Sequence, residues 1–178
     1  MTVIHNVIVR VSAALVAVWA IVGCSPTYNW RQLSLDTAQA SALMPCKPEA
    51  SARMVPLATP PVSLEVRACD TDGFTFAVAW VVLPDGADAT AALANWRRAA
   101  AASVKAVLPD SPQSDWSVKG SDTAQRWQAS GQRAGGERVE ATWGYARKGQ
   151  TLVQMAVYGP EQPSAVINQF WDGFAWQK

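Results

Sequence analysis

Three kinds of side chain in this sequence have types and spacings that could do chemistry: three cysteines, nine tryptophans and a few close acidic or basic pairs. Cys46 and Cys69 stand too far apart in sequence for a C-x-x-C redox motif, so they are candidates for a structural disulfide rather than a catalytic thiol pair. Asp70 and Asp72 have the alternate spacing that opens a calcium loop. The third acidic ligand and the distal bidentate Glu are missing, which leaves turn chemistry ending at Gly73. Gly131, Gly135 and Gly136 make no phosphate loop, because no strand feeds them into a helix and no Gly-Lys-Ser/Thr follows; they read as hairpin glycines. Arg97 and Arg98 offer an anion site or, more simply, a solvated helix face. The one histidine, His5, precedes Cys24. Residues 24–178 therefore lack imidazole, which removes Ser-His-Asp and Cys-His nucleophiles and every His-containing zinc site. An enzyme built from them would have to rely on carboxylates, Lys, Tyr or a bound cofactor.

The third cysteine, Cys24, has a different setting. A weakly basic start with His5 and Arg10 leads into the apolar run 11–22, too short to cross a bilayer comfortably when a spanning helix needs roughly 20 apolar residues. Small Gly23 then precedes the cysteine, which is signal-peptide anatomy. Ile21-Val22-Gly23-Cys24 resembles the lipobox of bacterial lipoproteins, departing from it in Ile rather than Leu at the first place. The resemblance implies a diacylglyceryl group on the Cys24 thiol, cleavage before Cys24, and acylation of the new amino group. Several acyl chains would hold the protein at a membrane where a single chain binds only reversibly. Ser25, rather than Asp, after the cysteine implies by the same analogy the outer membrane, with the folded part facing the periplasm. In that oxidising compartment Cys46 and Cys69 are expected to be bonded.

Removing residues 1–23 from the 178 leaves 155, one domain's length. The expected organisation is a signal peptide over 1–23, a lipid-anchored tether over 24–27 and a single domain over 28–178. Arg10 is the one Lys or Arg lost, so fourteen basic residues balance fourteen acids. No charge excess steers the chain toward nucleic acid or an anionic surface.

The elements that must position these residues follow from periodicity. Tyr28 and Trp30 start the first strand or cap the core; the alternative places them at lipid headgroup level. Proline punctuation between residues 43 and 61 permits only short edge strands, around 42–44 and 53–57. Residues 62–69 alternate strictly, and the turn 70–73 leads into 74–82. There Phe74, Phe76, Val78, Trp80 and Val82 share one face while Thr75, Ala77, Ala79 and Val81 make a second small, mostly apolar one: a hairpin whose second strand is covered on both sides. Residues 87–107 read as the main helix, with Asp85 or Asp88 near its start, Lys105 near its C-terminal end, and Leu93, Trp96, Ala100, Val104 and Val107 as its buried stripe. Four strands follow, at 115–119, 124–129, 139–147 and 151–158. A short helix over 164–172, with Pro163 in its first turn, is closed by Gly173.

That order predicts an α+β domain: one antiparallel twisted sheet with helical cover, an α/β/α sandwich. It resembles the PsbP-like fold, shared by a photosystem accessory subunit, a nuclear-import cofactor and assorted bacterial lipoproteins. Tyr28-Asn29-Trp30-Arg31 with Met44-Pro45-Cys46-Lys47-Pro48 is similar to a group of proteobacterial lipoproteins without known function. The resemblance implies an accessory or interaction module; the missing imidazole, the lack of a metal-ligand or nucleophile motif and the balanced charge add the expectation that it is non-catalytic, with no cofactor, no metal and no nucleic-acid partner. It would be held to the membrane through acyl chains on Cys24 and would work with a protein partner in the envelope. A binder of small molecules or cell-wall glycan is the alternative. It requires exposed tryptophans: Trp80, Trp96 and Trp143 fall on core faces, leaving Trp116, Trp127 and Trp176 to line any groove.

Overall fold

Strict alternation gives long antiparallel ladders. The protein is described by a computed structural model covering residues 27–160 and 164–177. The signal segment 1–23, Cys24 and the tether up to Pro26 lie outside the described residues, as does Pro163. The elements run β1 (Arg31–Leu35), a 3-10 turn (Asp36–Ala38), β2 (Ala40–Met44), β3 (Glu49–Val55), β4 (Val62–Thr71) and β5 (Phe74–Val82). Helix α1 (Ala89–Ser103) is followed by β6 (Ser114–Asp115), β7 (Thr123–Gln132), β8 (Arg138–Lys148), β9 (Thr151–Gly159), α2 (Ser164–Asp172) and β10 (Ala175–Trp176).

The main sheet has seven strands in the order β3-β4-β5-β9-β8-β7-β6, the last only two residues long. Both faces of its central strands are buried. On one, Ala79, Val81, Trp143, Tyr145 and Leu152 meet Ala89, Ala92, Leu93 and Trp96 of α1. On the other, Phe76, Val78, Trp80 and Met155 meet Leu35, Ala40 and Met44 of a separate three-stranded sheet, β1-β2-β10, together with Phe170 and Trp171 of α2. Each large side chain so buried stabilises the fold by about 1.5–3 kcal/mol. β5 lies inside the sheet with cover on both sides, as its two small-to-apolar faces require.

The single-sheet α+β sandwich is therefore wrong. Among the described residues the protein is β-rich: ten strands in two sheets, with two α-helices. One outer layer is largely a sheet, because β2 pairs with β1 and with the C-terminal β10, while of the Pro-punctuated pieces only β3 extends the main ladder. β2, expected as an edge strand, is the central strand of that small sheet, flanked by β1 and by β10. β10 has no counterpart in the periodicity, since two residues carry no period.

Other boundaries moved for local reasons. The helix α1 starts at Ala89 because Asp88 caps it, its Oδ1 accepting from the backbone N–H groups of Thr90 (3.0 Å) and Ala91 (2.9 Å). It ends at Ser103, so Lys105, with φ of 52°, lies beyond the last turn, and Val107 is 87% exposed instead of buried. The strand expected at 115–119 contracts to Ser114–Asp115. Helix α2 spans Ser164–Asp172, the range read from the sequence.

Candidate interaction site

Each candidate chemical residue other than Cys24, which lies outside the described residues, has a structural assignment, and most are occupied. Cys46 and Cys69 are bonded, with Cα atoms 5.9 Å apart. Asp70 accepts from the Thr75 hydroxyl (2.6 Å) and Asp72 from the Tyr28 hydroxyl (2.6 Å), so both acids serve the β4–β5 hairpin. Asp72 and Gly73, both at positive φ, form its two-residue turn. Burial, together with the bond and negative charge of Asp72, pushes the Tyr28 phenol up to about 12. Among the described residues no group of three His, Cys, Asp or Glu could hold a metal ion.

Arg97 does not reach toward an anion. Its guanidinium lies 4.3 Å over the Trp127 ring, tying α1 to β7, and desolvation there lowers its pKa. Arg98 is exposed and bonds Asn95 on its own helix. Gly135 and Gly136 belong to the β7–β8 hairpin, but Gly131 does not turn the chain. It sits within β7 where the carbonyl of Val104 would lie 2.2 Å from an added Cβ, and the neighbouring Gln132 N–H donates to that carbonyl (2.6 Å). Only glycine lets the end of α1 dock there.

The tryptophans are mostly core. Trp116 and Trp127 are 6% and 5% exposed, and Trp176 is half-buried with its Nε1 donating to Ser121. No exposed platform forms from these three. Trp127 does border a groove of about 240 Å³ with Gln113, Arg126, Gln128 and Trp171. Within it the Arg126 guanidinium stands 5.6 Å from the Trp171 ring. Tyr28 and Trp30 pack as the first strand's approach, their rings 6.3 Å apart, with Trp30 against the core.

What the sequence reading underestimated is β3. It occupies one end of the main sheet and pairs with β4 alone, from Glu49 opposite Ala68 to Val55 opposite Val62. Six of its seven residues are exposed, from Glu49 to Met54. Neither covering layer extends over them, so small Ala50, Ser51 and Ala52 bury almost nothing, and Met54 is 65% exposed. A strand this poor in packing is held by its ladder and by the covalent staple at its entry, where Cys46 is bonded to Cys69 of β4. The outcome is an extended strand whose outer row of N–H and C=O groups meets no partner among the described residues. The side chains of Glu49 and Arg53 likewise make no ion pair or hydrogen bond among the described residues. The signal for this edge was present in Pro48 and Pro56, which bracket a run of small residues.

Comparison with protein-family models and with curated proteins gives no match.

Proposed function

We propose that this chain is a cell-envelope lipoprotein, anchored in the outer membrane through acyl chains on Cys24 and facing the periplasm, which works by docking a protein partner and not by catalysis. The observation that carries the docking part is β3, an extended, stapled, exposed edge ready to accept another strand. Main-chain hydrogen bonds supply affinity in such strand addition, and side chains on alternate faces supply selectivity. Chemistry of the residues supports the same reading: residues 24–178 contain no imidazole, and neutral-pH acid–base catalysis then needs a strongly shifted carboxylate or Lys. The test is a crosslinking pull-down from native membranes. A stoichiometric partner held by the wild type and lost from an Ala52→Lys, Met54→Lys variant is the expected result. Retention of the same partner by that variant would move the docking site off β3.

The groove bordered by Trp127, Trp171 and Arg126 favours a second reading, a small ligand with acceptor oxygens. Tryptophan-fluorescence titration with cell-wall fragments tests it; a saturable change lost in Arg126→Ala would support it, and a flat titration would end it.

A further inference from the structure

β3 carries a charge pattern that selects its own copy as partner. Strands added at an edge in antiparallel sense with two-fold symmetry must be centred on a residue, because directly opposed side chains share a face of the sheet. For β3 that leaves few registers. Centred on Ser51, Glu49 of each copy stands opposite Arg53 of the other, Ala50 opposite Ala52, and Met54 opposite Pro48. Centred on Ala52, Arg53 meets Ser51 and Glu49 meets Val55, so no charges match. Centred on Ala50, Lys47 faces Arg53, and like charges directly opposed oppose pairing.

Only the Ser51 register satisfies both free charges of the strand, twice over by symmetry. It also places small alanines opposite one another on either side of the axis and covers Met54, which is 65% exposed in the single copy. Glu49, Ser51 and Arg53 share the α1 side of the sheet, since their β4 partners Ala68, Val66 and Leu64 alternate on that side, with Leu64 buried beneath α1. Both ion pairs would form on that one side, beyond the cover of α1. A two-fold axis along the membrane normal keeps two lipid anchors at one height, and confinement to a membrane raises the effective concentration of the copies.

We propose that two copies of this protein join edge to edge through β3 in the Ser51-centred register, making one continuous sheet across the dimer. The proposal rests on the reading of β3 as a docking strand and names its occupant.

The experiment uses the full-length protein in its native membranes. With Cys46 and Cys69 bonded and Cys24 acylated, Ser51→Cys adds the one free thiol, placed on the two-fold axis where opposed Cα atoms are about 4.5–5.5 Å apart. Under mild oxidation, Ser51→Cys is expected to give a disulfide-linked homodimer, and Ser103→Cys, on the exposed end of α1, is not. Adding Glu49→Arg or Arg53→Glu singly should abolish the dimer band, because each places like charges opposite one another. Adding both should restore it, since the pair is then merely reversed. A dimer band indifferent to the single reversals, or equal from Ser103→Cys, overturns the register. Crosslinking of Ser51→Cys to a different protein overturns self-pairing and leaves β3 as a docking strand for that protein. No crosslinked species at all overturns self-pairing, and the docking reading is then decided by the pull-down with the Ala52→Lys, Met54→Lys variant.

Discussion

The disulfide matters more here than its two cysteines suggest, because the strand it leads into has almost no packing of its own. The 23-residue separation of Cys46 and Cys69 closes a loop whose chain-entropy value is about 3 kcal/mol. That is a large part of a stability of about 5–15 kcal/mol. The Cys46→Ser, Cys69→Ser protein is expected to lose about this much in urea unfolding, with the largest gain in amide exchange along β3; an unchanged midpoint would remove the staple from the account. Unreduced, denatured wild type should correspondingly show no reactive thiol at these positions. The phenols offer a second residue-scale test. All three tyrosines of the chain have raised pKa values: Tyr28 to about 12, and Tyr145 and Tyr158 upward through burial. A phenol whose folded value exceeds its unfolded value of about 10 stabilises the folded state below that pH, and the contribution is lost as pH rises through the folded value. Phenolate absorbance is therefore expected to stay flat near pH 10 in the native protein, then rise together with unfolding, whereas the urea-unfolded chain titrates near 10. Native titration of two or more phenols near 10 would contradict the burial of Tyr145 and the partial burial of Tyr158.

Among the elements, α1 depends on a single side chain at its start. Asp88 satisfies two backbone donors at its N-terminus, so Asp88→Ala is expected to cost about 1 kcal/mol, and Asp88→Ser to recover most of it; a cost equal to that of Asp85→Ala would argue against a specific cap. The flat seat of α2 makes a stronger prediction. An added Cβ at Gly144 would stand 2.6 Å from the Trp171 ring and 3.0 Å from that of Trp116. Gly144→Ala is thus expected to destabilise by about 1–3 kcal/mol through overpacking, read as a lowered urea midpoint; a neutral outcome would mean that the rings can shift freely. How far these elements were legible depended on the range of the interactions that make them. The Asp70–Gly73 hairpin, the alternation from Phe74 to Trp80 and the stripe of Val139, Ala141, Trp143 and Tyr145 are local patterns, and the structure buries the faces they name. Val107 fits the helical stripe equally well, yet the helix had already ended at Ser103. The partition into two sheets rests on Ala175 pairing with Ser41 and on Arg31 pairing with Met44. Neither pairing is announced by any periodicity, and a sandwich with one sheet fits the same pattern. The exposed edge of β3 was legible as an edge and not as a surface, because exposure depends on where the covering layers stop.

At the scale of the whole molecule, the proposed reading raises the question of what would hold the chain at a membrane. Among the described residues no helix is long and apolar enough to cross one. Fourteen basic residues balance fourteen acids in residues 24–178, so electrostatic attraction to anionic lipid supplies little. Under the proposed reading the anchor is then entirely covalent, and one thiol decides the address. Each buried methylene of an acyl chain contributes about 0.8 kcal/mol, which makes one chain reversible and two or three effectively permanent. Cells fed a clickable fatty acid should label the wild type and leave Cys24→Ala unlabelled. The wild type should fractionate with the outer membrane, and its mature N-terminus should be Cys24. The folded part should be indifferent to this change, since the core clusters of the described residues form between Leu35 and Phe174; the disulfide and the urea midpoint of Cys24→Ala are expected to match those of the wild type. Equal label in both proteins, or a mature N-terminus elsewhere, would remove the lipoprotein reading and leave the β3 edge to be judged on its crosslinks alone.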